Sequence, residues 1–196
     1  MYTLKLCSGF GRFHTNKPDP AKPKKRLQPY AAVAWEDIIP TLKDPPTVEK
    51  TCAQWLIPST LLSRSIVAQK ANGQFALLWA DLDKNPPSFD VIGAILIDAG
   101  IDTFELYSSR SATLDNQKCR LVIPLSELLD AESWRIQQKA LNNLLDLSGI
   151  VPDRANENAN QIFFLPNRGE FYCHAYKVAD DKLRYTNPPT ADKGAL

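Results

Sequence analysis

Residues Gln74 to Asp83 constrain this chain more than any other stretch. Phe75-Ala76-Leu77-Leu78-Trp79-Ala80 is a continuous apolar run that ends in Asp81-Leu82-Asp83. A run of this length and aromatic content predicts a buried β-strand. Strand side chains alternate, so Asp81 and Asp83 should share one face. Their Cα atoms should then lie about 6.6 Å apart, two rises of roughly 3.3 Å each. Two like charges at the end of an apolar strand repel and lose hydration, and a divalent cation with a preference for oxygen ligands would offset both. A strand running out into a polar turn accounts for the same residues, since Lys84-Asn85-Pro86-Pro87 follows.

The 196 residues are enough for one domain or a compact two-lobed unit. A hydrophobic share of 44% with 23% charged residues is that of a soluble globular chain. No apolar run approaches the roughly 20 residues that cross a bilayer, and the N-terminus lacks a signal-peptide pattern. Cys7, Cys52, Cys119 and Cys173 are scattered with no C-x-x-C pair. They are expected to be free thiols in a reducing cytoplasm, and zinc is not expected. The net charge is +1, but it is unevenly spread. Lys5, Arg12, Lys17, Lys22, Lys24, Lys25 and Arg26 face only Asp19 within the first thirty residues. The proline-rich stretch holding Lys22, Lys24, Lys25 and Arg26 is a candidate DNA-binding arm, with a solvated loop as the plain alternative.

Glycines and prolines predict an irregular segment from residue 7 to residue 29, after a short strand at Met1 to Leu6. Trp35 to Leu42 predicts a helix stopped by Asp44-Pro45-Pro46. Thr47 is expected to open a helical turn, and Ser65 to Gln69 to form a short strand. Ser88 reads as the cap of a helix carrying Phe89, Ile92 and Leu96, with Gly100 ending it. Strands are expected at Thr103 to Ser109 and Lys118 to Leu125. A long helix should run from the cap Asp130 to Ser148, with Gly149 terminating it. Two more strands are expected at Gln161 to Leu165 and Phe171 to Val178.

The fold class expected is α+β: a mostly antiparallel sheet with helices packed on it. Residues 74–180 would form a catalytic unit like a ferredoxin or RNA-recognition domain. Residues 1–73 would form a basic, irregular and helical α/β portion, and 181–196 a flexible tail.

Four blocks stand in order along residues 74 to 168. They are Asp81-Leu82-Asp83; Tyr107-Ser108-Ser109-Arg110-Ser111-Ala112-Thr113; Lys118-Cys119-Arg120 leading to Ile123-Pro124-Leu125; and Asp153 ahead of Phe163-Phe164-Leu165-Pro166. In this order and spacing the chain resembles the catalytic domain of archaeo-eukaryotic-type primases. These are the primase-polymerases of plasmids, prophages and other mobile elements.

The resemblance implies that Asp81, Asp83 and Asp153 ligate Mg²⁺ or Mn²⁺ and are the catalytic carboxylates. It implies that Ser109, Arg110, Ser111, Lys118 and Arg120 bind the phosphates of a nucleoside triphosphate. The partners it implies are a single-stranded or primed DNA template and, on another chain or in a longer parent protein, a replicative helicase. No membrane partner and a cytoplasmic location are expected. The family's motif carries a histidine where Ala112 stands here, which leaves Arg110 or Arg120 to supply the positive charge. The activity implied is metal-dependent, template-directed nucleotidyl transfer in DNA replication. Two alternatives stand beside it: a non-catalytic replication initiator that binds DNA, and a metal-dependent nuclease.

Overall fold

The computed structural model describes residues 5–11 and 30–178. The basic cluster Lys22, Lys24, Lys25 and Arg26, His14, and the tail expected from residue 181 lie outside them. The described chain is α+β, with two four-stranded sheets whose neighbouring strands are all antiparallel. The first sheet contains β1 (Lys5–Phe10), β2 (Ala31–Ala34), β3 (Gln54–Ile57) and β7 (Phe163–Phe164), in the order β2-β1-β3-β7. The second contains β4 (Phe75–Leu82), β5 (Phe104–Ser108), β6 (Cys119–Leu129) and β8 (His174–Lys177), in the order β4-β6-β5-β8. Four helices accompany them: α1 (Trp35–Lys43), α2 (Ile66–Asn72), α3 (Phe89–Asp98) and α4 (Ala131–Leu147). A 3-10 turn spans Arg154–Glu157.

The alternation of β4 divides the core. Leu78, Ala80 and Leu82 face α3 and α4, where they pack with Ile92, Leu96, Trp134, Leu141 and Leu145. Leu77 and Trp79 face the other way, into a second core with Trp35 and Leu42 of α1, Leu56 of β3 and Phe163 of β7. Burying so many large side chains, at roughly 1.5–3 kcal/mol each, is what holds the layers together.

Strands β4, β6 and β5 follow the split βαβ order expected of a ferredoxin-like unit. The fourth strand, β8, lies beside β5 and leaves β4 at an edge. An edge strand carries unpaired backbone groups, and side chains of α4 and the 3-10 turn satisfy them here. The Trp134 indole donates to the Leu77 carbonyl at 2.9 Å. The Gln138 amide accepts from the Trp79 N–H at 3.1 Å and donates to the Trp79 carbonyl at 2.8 Å. Asn156 donates to that same carbonyl at 2.8 Å. Gln138, Asn142 and Asn156 are all fully buried and bonded to one another in sequence. Buried amides fully engaged in this way act in place of a neighbouring strand.

Two local expectations are corrected. Ser65 to Gln69 is not a strand: Ser65 caps α2, accepting from the Ala68 N–H at 3.3 Å, and Gln69 turns inward to donate to Leu61 and Ser63 carbonyls. Cap chemistry there overrides the β-branched Ile66 and Val67. Cys7 to Phe10 is strand rather than loop, because β1 is flanked on both sides by β2 and β3. Gly9 belongs in that strand because a Cβ at this position would lie 2.1 Å from the Trp55 ring. Thr47 opens no helical turn. All four cysteines are unpaired, and no helix among the described residues is long and apolar enough to cross a membrane.

Candidate functional site

Cross-strand register brings the candidate residues to one end of the second sheet. Asp81 of β4 is directly opposite Arg120 of β6, and Arg120 is opposite Tyr107 of β5. Residues paired this way share a face, so all three point toward the first sheet. The Arg120 guanidinium meets the Asp81 Oδ2 at 3.1 Å, with the two side chains only 14% and 18% exposed. Its other terminal nitrogen donates to the Phe164 carbonyl at 3.3 Å. The Tyr107 hydroxyl donates to that carbonyl at 2.8 Å, so one backbone oxygen of β7 ties the two sheets together.

The third carboxylate arrives through the backbone. The Asp153 N–H donates to the Asp81 carbonyl at 2.9 Å, so a further β4 edge group is satisfied here. The Asp153 side chain caps the 3-10 turn, accepting from the Ala155 N–H at 3.0 Å. Asp153 is thus a turn-capping residue whose backbone lies beside Asp81. Asp83 lies just past the end of β4 and is exposed, as is Asp153. The Asp81 carboxyl is held above the usual carboxylate range, first by burial. The Arg120 charge opposes that shift, while the Asp83 and Asp153 charges add to it.

The donor chemistry is that of a hard cation: three carboxylates, one of them with a buried Oδ1 that has no hydrogen-bond partner. The arrangement is not that of an assembled metal centre. Among the described residues, no three His, Cys, Asp or Glu side chains are grouped so as to hold a metal ion. Asp81 is turned to Arg120 and Asp153 to its own cap, so the carboxylates are gathered without converging.

Next to this cluster is a cleft of about 310 Å³ lined by Lys50, Ser109, Arg110, Ser111, Arg120, Phe164 and Asn167, among others. Two of its lining residues, Arg110 and Asn167, are held by close contacts with neighbouring segments. A Cβ on Gly169 would fall 2.0 Å from the Arg110 carbonyl oxygen, so only glycine lets the two chains meet there. Asn167 reads the backbone of Val48 on both sides, accepting from its N–H at 3.0 Å and donating to its carbonyl at 2.8 Å. Arg110 donates to the same carbonyl and lies 3.6 Å from Glu49. The Ser109 and Ser111 hydroxyls are 3.4 Å apart.

Of the five residues expected to bind phosphate, the structure gathers Ser109, Arg110, Ser111 and Arg120 around the cleft. Lys118 is not among its lining residues; its backbone holds the turn instead, its carbonyl accepting from the Ser109 N–H at 2.8 Å. Ala112 is buried, with 1% of its surface exposed, so the position that the resemblance would align with a histidine is a packing position here. His174 lies in the same cross-strand row as Tyr107 and Arg120, but its Nε2 is 2.7 Å from Glu105 in a separate buried pair. Lys50 is the residue that sequence reasoning missed. It reaches the cleft from the segment before β3, its ammonium 5.4 Å from the centre of the Phe164 ring. Seventy residues separate it from Arg120, and no motif marks it.

No protein-family model matches the chain, and no curated protein matches it either. Among solved structures, the chain is similar to the AEP domain of the primase-polymerase of cyanophage S-2L. The likeness covers 95% of this chain and 85% of that one, with 12% identity and a TM-score of 0.49.

Proposed function

We propose that this chain is a primase-polymerase-like nucleotidyltransferase domain that adds nucleotides to a DNA strand. The observation that carries the reading is the position of Arg120. One guanidinium both neutralises Asp81 and lines the cleft, so the carboxylates and the candidate nucleotide pocket meet at a single side chain. The serine-rich turn and three cations around the cleft suit a triphosphate. Asp81, Asp83 and Asp153 are the residues that would hold Mg²⁺ or Mn²⁺. Such an ion would supply charge neutralisation on the phosphates and lower the pKa of an attacking hydroxyl. The chain's own contribution is positioning. Gln138, Asn142 and Asn156 lock the β4 edge, and with it the Asp81 and Asp153 backbones, against α4.

Two observations favour a second reading, a DNA-binding replication initiator that keeps the fold without catalysis: the unconverged carboxylates and the buried Ala112. Incubating a primed template with the protein, Mn²⁺ and each nucleotide type separates the cases. The proposal expects lengthened primers. Shortened primers would indicate a nuclease, and unchanged primers in the presence of DNA binding would indicate the initiator.

A further inference from the structure

A second, larger concavity lies on the opposite side of the β4 edge. It measures about 510 Å³ and is formed where α2, the N-terminal half of α4 and the 3-10 turn meet. Lys70, Arg135, Lys139 and Arg154 line it, against Glu132 and Glu157. The acids do not use up this positive charge evenly. Arg154 is engaged by Asp146 and by Glu157, the latter at 2.8 Å. Arg135 stands 4.0 Å from Glu132 at the exposed rim. Lys139 acts on Glu157 only through its field, and Lys70 has no direct ion pair among the described residues. A groove with surplus positive charge, an exposed Lys70 and a partly buried Lys139 is suited to anionic oxygens rather than to an apolar ligand.

Its position says which anion. Arg154 follows Asp153 directly in the chain, and Asp153 is hydrogen-bonded to Asp81. The groove therefore begins where the carboxylate cluster ends. A nucleic-acid strand presenting its terminus to the carboxylates must continue across adjacent protein; the cleft beside Arg120 is assigned to the nucleotide, and this groove is a second adjacent surface that carries cations. We propose that this groove holds the phosphodiester backbone of a single-stranded segment of the nucleic acid, with Lys70 and Lys139 as its principal phosphate contacts. The inference rests on the function proposed above. It assigns binding to a surface remote in sequence from the basic stretch around Lys24.

The test is anisotropy of a short fluorescent oligothymidine over a range of salt, for wild type, Lys70→Glu/Lys139→Glu, and a control of equal charge change, Lys43→Glu/Lys177→Glu. The control residues lie at the far edge of the second sheet, Lys177 within β8 and Lys43 over the Tyr176 ring of that strand. Loss of two single-strand phosphate contacts should lower the salt slope by about 1.4, at about 0.7 per contact, and weaken binding by about tenfold or more. The milder Lys70→Gln/Lys139→Gln should show the same loss in slope, which removes misfolding as an explanation. Equal effects of groove and control variants, an unchanged slope, or no binding by wild type overturns the proposal. Primer extension by the same proteins keeps the two ideas separate. Groove-dependent binding without any extension counts against the enzyme reading alone. Extension by a protein whose DNA affinity ignores Lys70 and Lys139 counts against the groove alone.

Discussion

Replacing Asp81 by asparagine distinguishes two accounts of the carboxylate cluster by sign. If Asp81, Asp83 and Asp153 only repelled one another, removing one charge would stabilise the metal-free protein. The structure adds Arg120, whose charge faces Asp81 at 3.1 Å with both side chains largely out of water. Removing one partner of a buried ion pair strands the other and costs roughly 3–5 kcal/mol when burial is complete. The residual exposure of both side chains and the relief of repulsion place the expected cost of Asp81→Asn at or below the lower bound, about 2–3 kcal/mol. Arg120→Gln should cost a similar amount. It loses the Asp81 contact, while the Phe164 carbonyl keeps its bond from Tyr107 at 2.8 Å. The double variant should be less destabilised than the sum of the singles, by more than about 1 kcal/mol of coupling. Urea denaturation followed by circular dichroism measures all three, read as a shift in midpoint at constant slope. An Asp81→Asn protein as stable as wild type, or more stable, would refute the claim that the Arg120 pair dominates this site.

Three further perturbations follow from the geometry. The stability deficit of Arg120→Gln should shrink in acid. Burial already holds the Asp81 carboxyl above its usual range, and the variant raises it further, so stability is lost as pH rises through the folded value; urea midpoints at about pH 5 and pH 8 check the sign. Gln138→Ala leaves the buried Trp79 N–H without a partner, while the Trp79 carbonyl keeps Asn156; a loss of about 1–3 kcal/mol and faster hydrogen exchange at Trp79 are expected. Ala112→His overpacks a buried site, costs about 1–3 kcal/mol and does not improve nucleotide affinity measured by calorimetry.

Parts of this architecture were legible in the sequence because their signals are local. The apolar run before Asp81 announced β4, and the left-handed Gly100 and Gly149, each with φ of 78°, ended α3 and α4 where glycine was expected to. The cap at Asp130 was likewise readable, its side chain accepting from the Ser133 N–H at 2.8 Å. The first sheet was legible only in part: β7 lies within the strand expected at Gln161 to Leu165, and β1 overlaps the one expected at Met1 to Leu6. Strands β2 and β3 were not expected; each is four residues long, too short to show a period. Their pairing is decided by contacts as distant as Trp55 with Phe164. The candidate site divides in the same way. Asp81, Asp83 and Asp153 were visible as a motif, but the commitment of Arg120 to Asp81 depends on the β4–β6 register. The arrival of Lys50 depends on how the segment before β3 is clasped by Asn167. Neither relation has a signature in sequence spacing.

Asp153→Asn is the sharpest probe of the proposed chemistry. Asparagine can keep the cap on the Ala155 N–H, and the backbone bond to Asp81 does not involve the side chain, so the fold should be undisturbed. Only a charge is removed, at the residue that would complete the carboxylate set. The decisive measurement is extension of a primed DNA template with Mn²⁺ and nucleoside triphosphates by wild type and by Asp153→Asn of equal stability and equal DNA affinity. The account predicts extended primers with wild type and a loss of at least about a hundredfold in rate with the variant, or roughly 2.7 kcal/mol of transition-state stabilisation. Extension at the same rate by both proteins, or none by wild type, would contradict it.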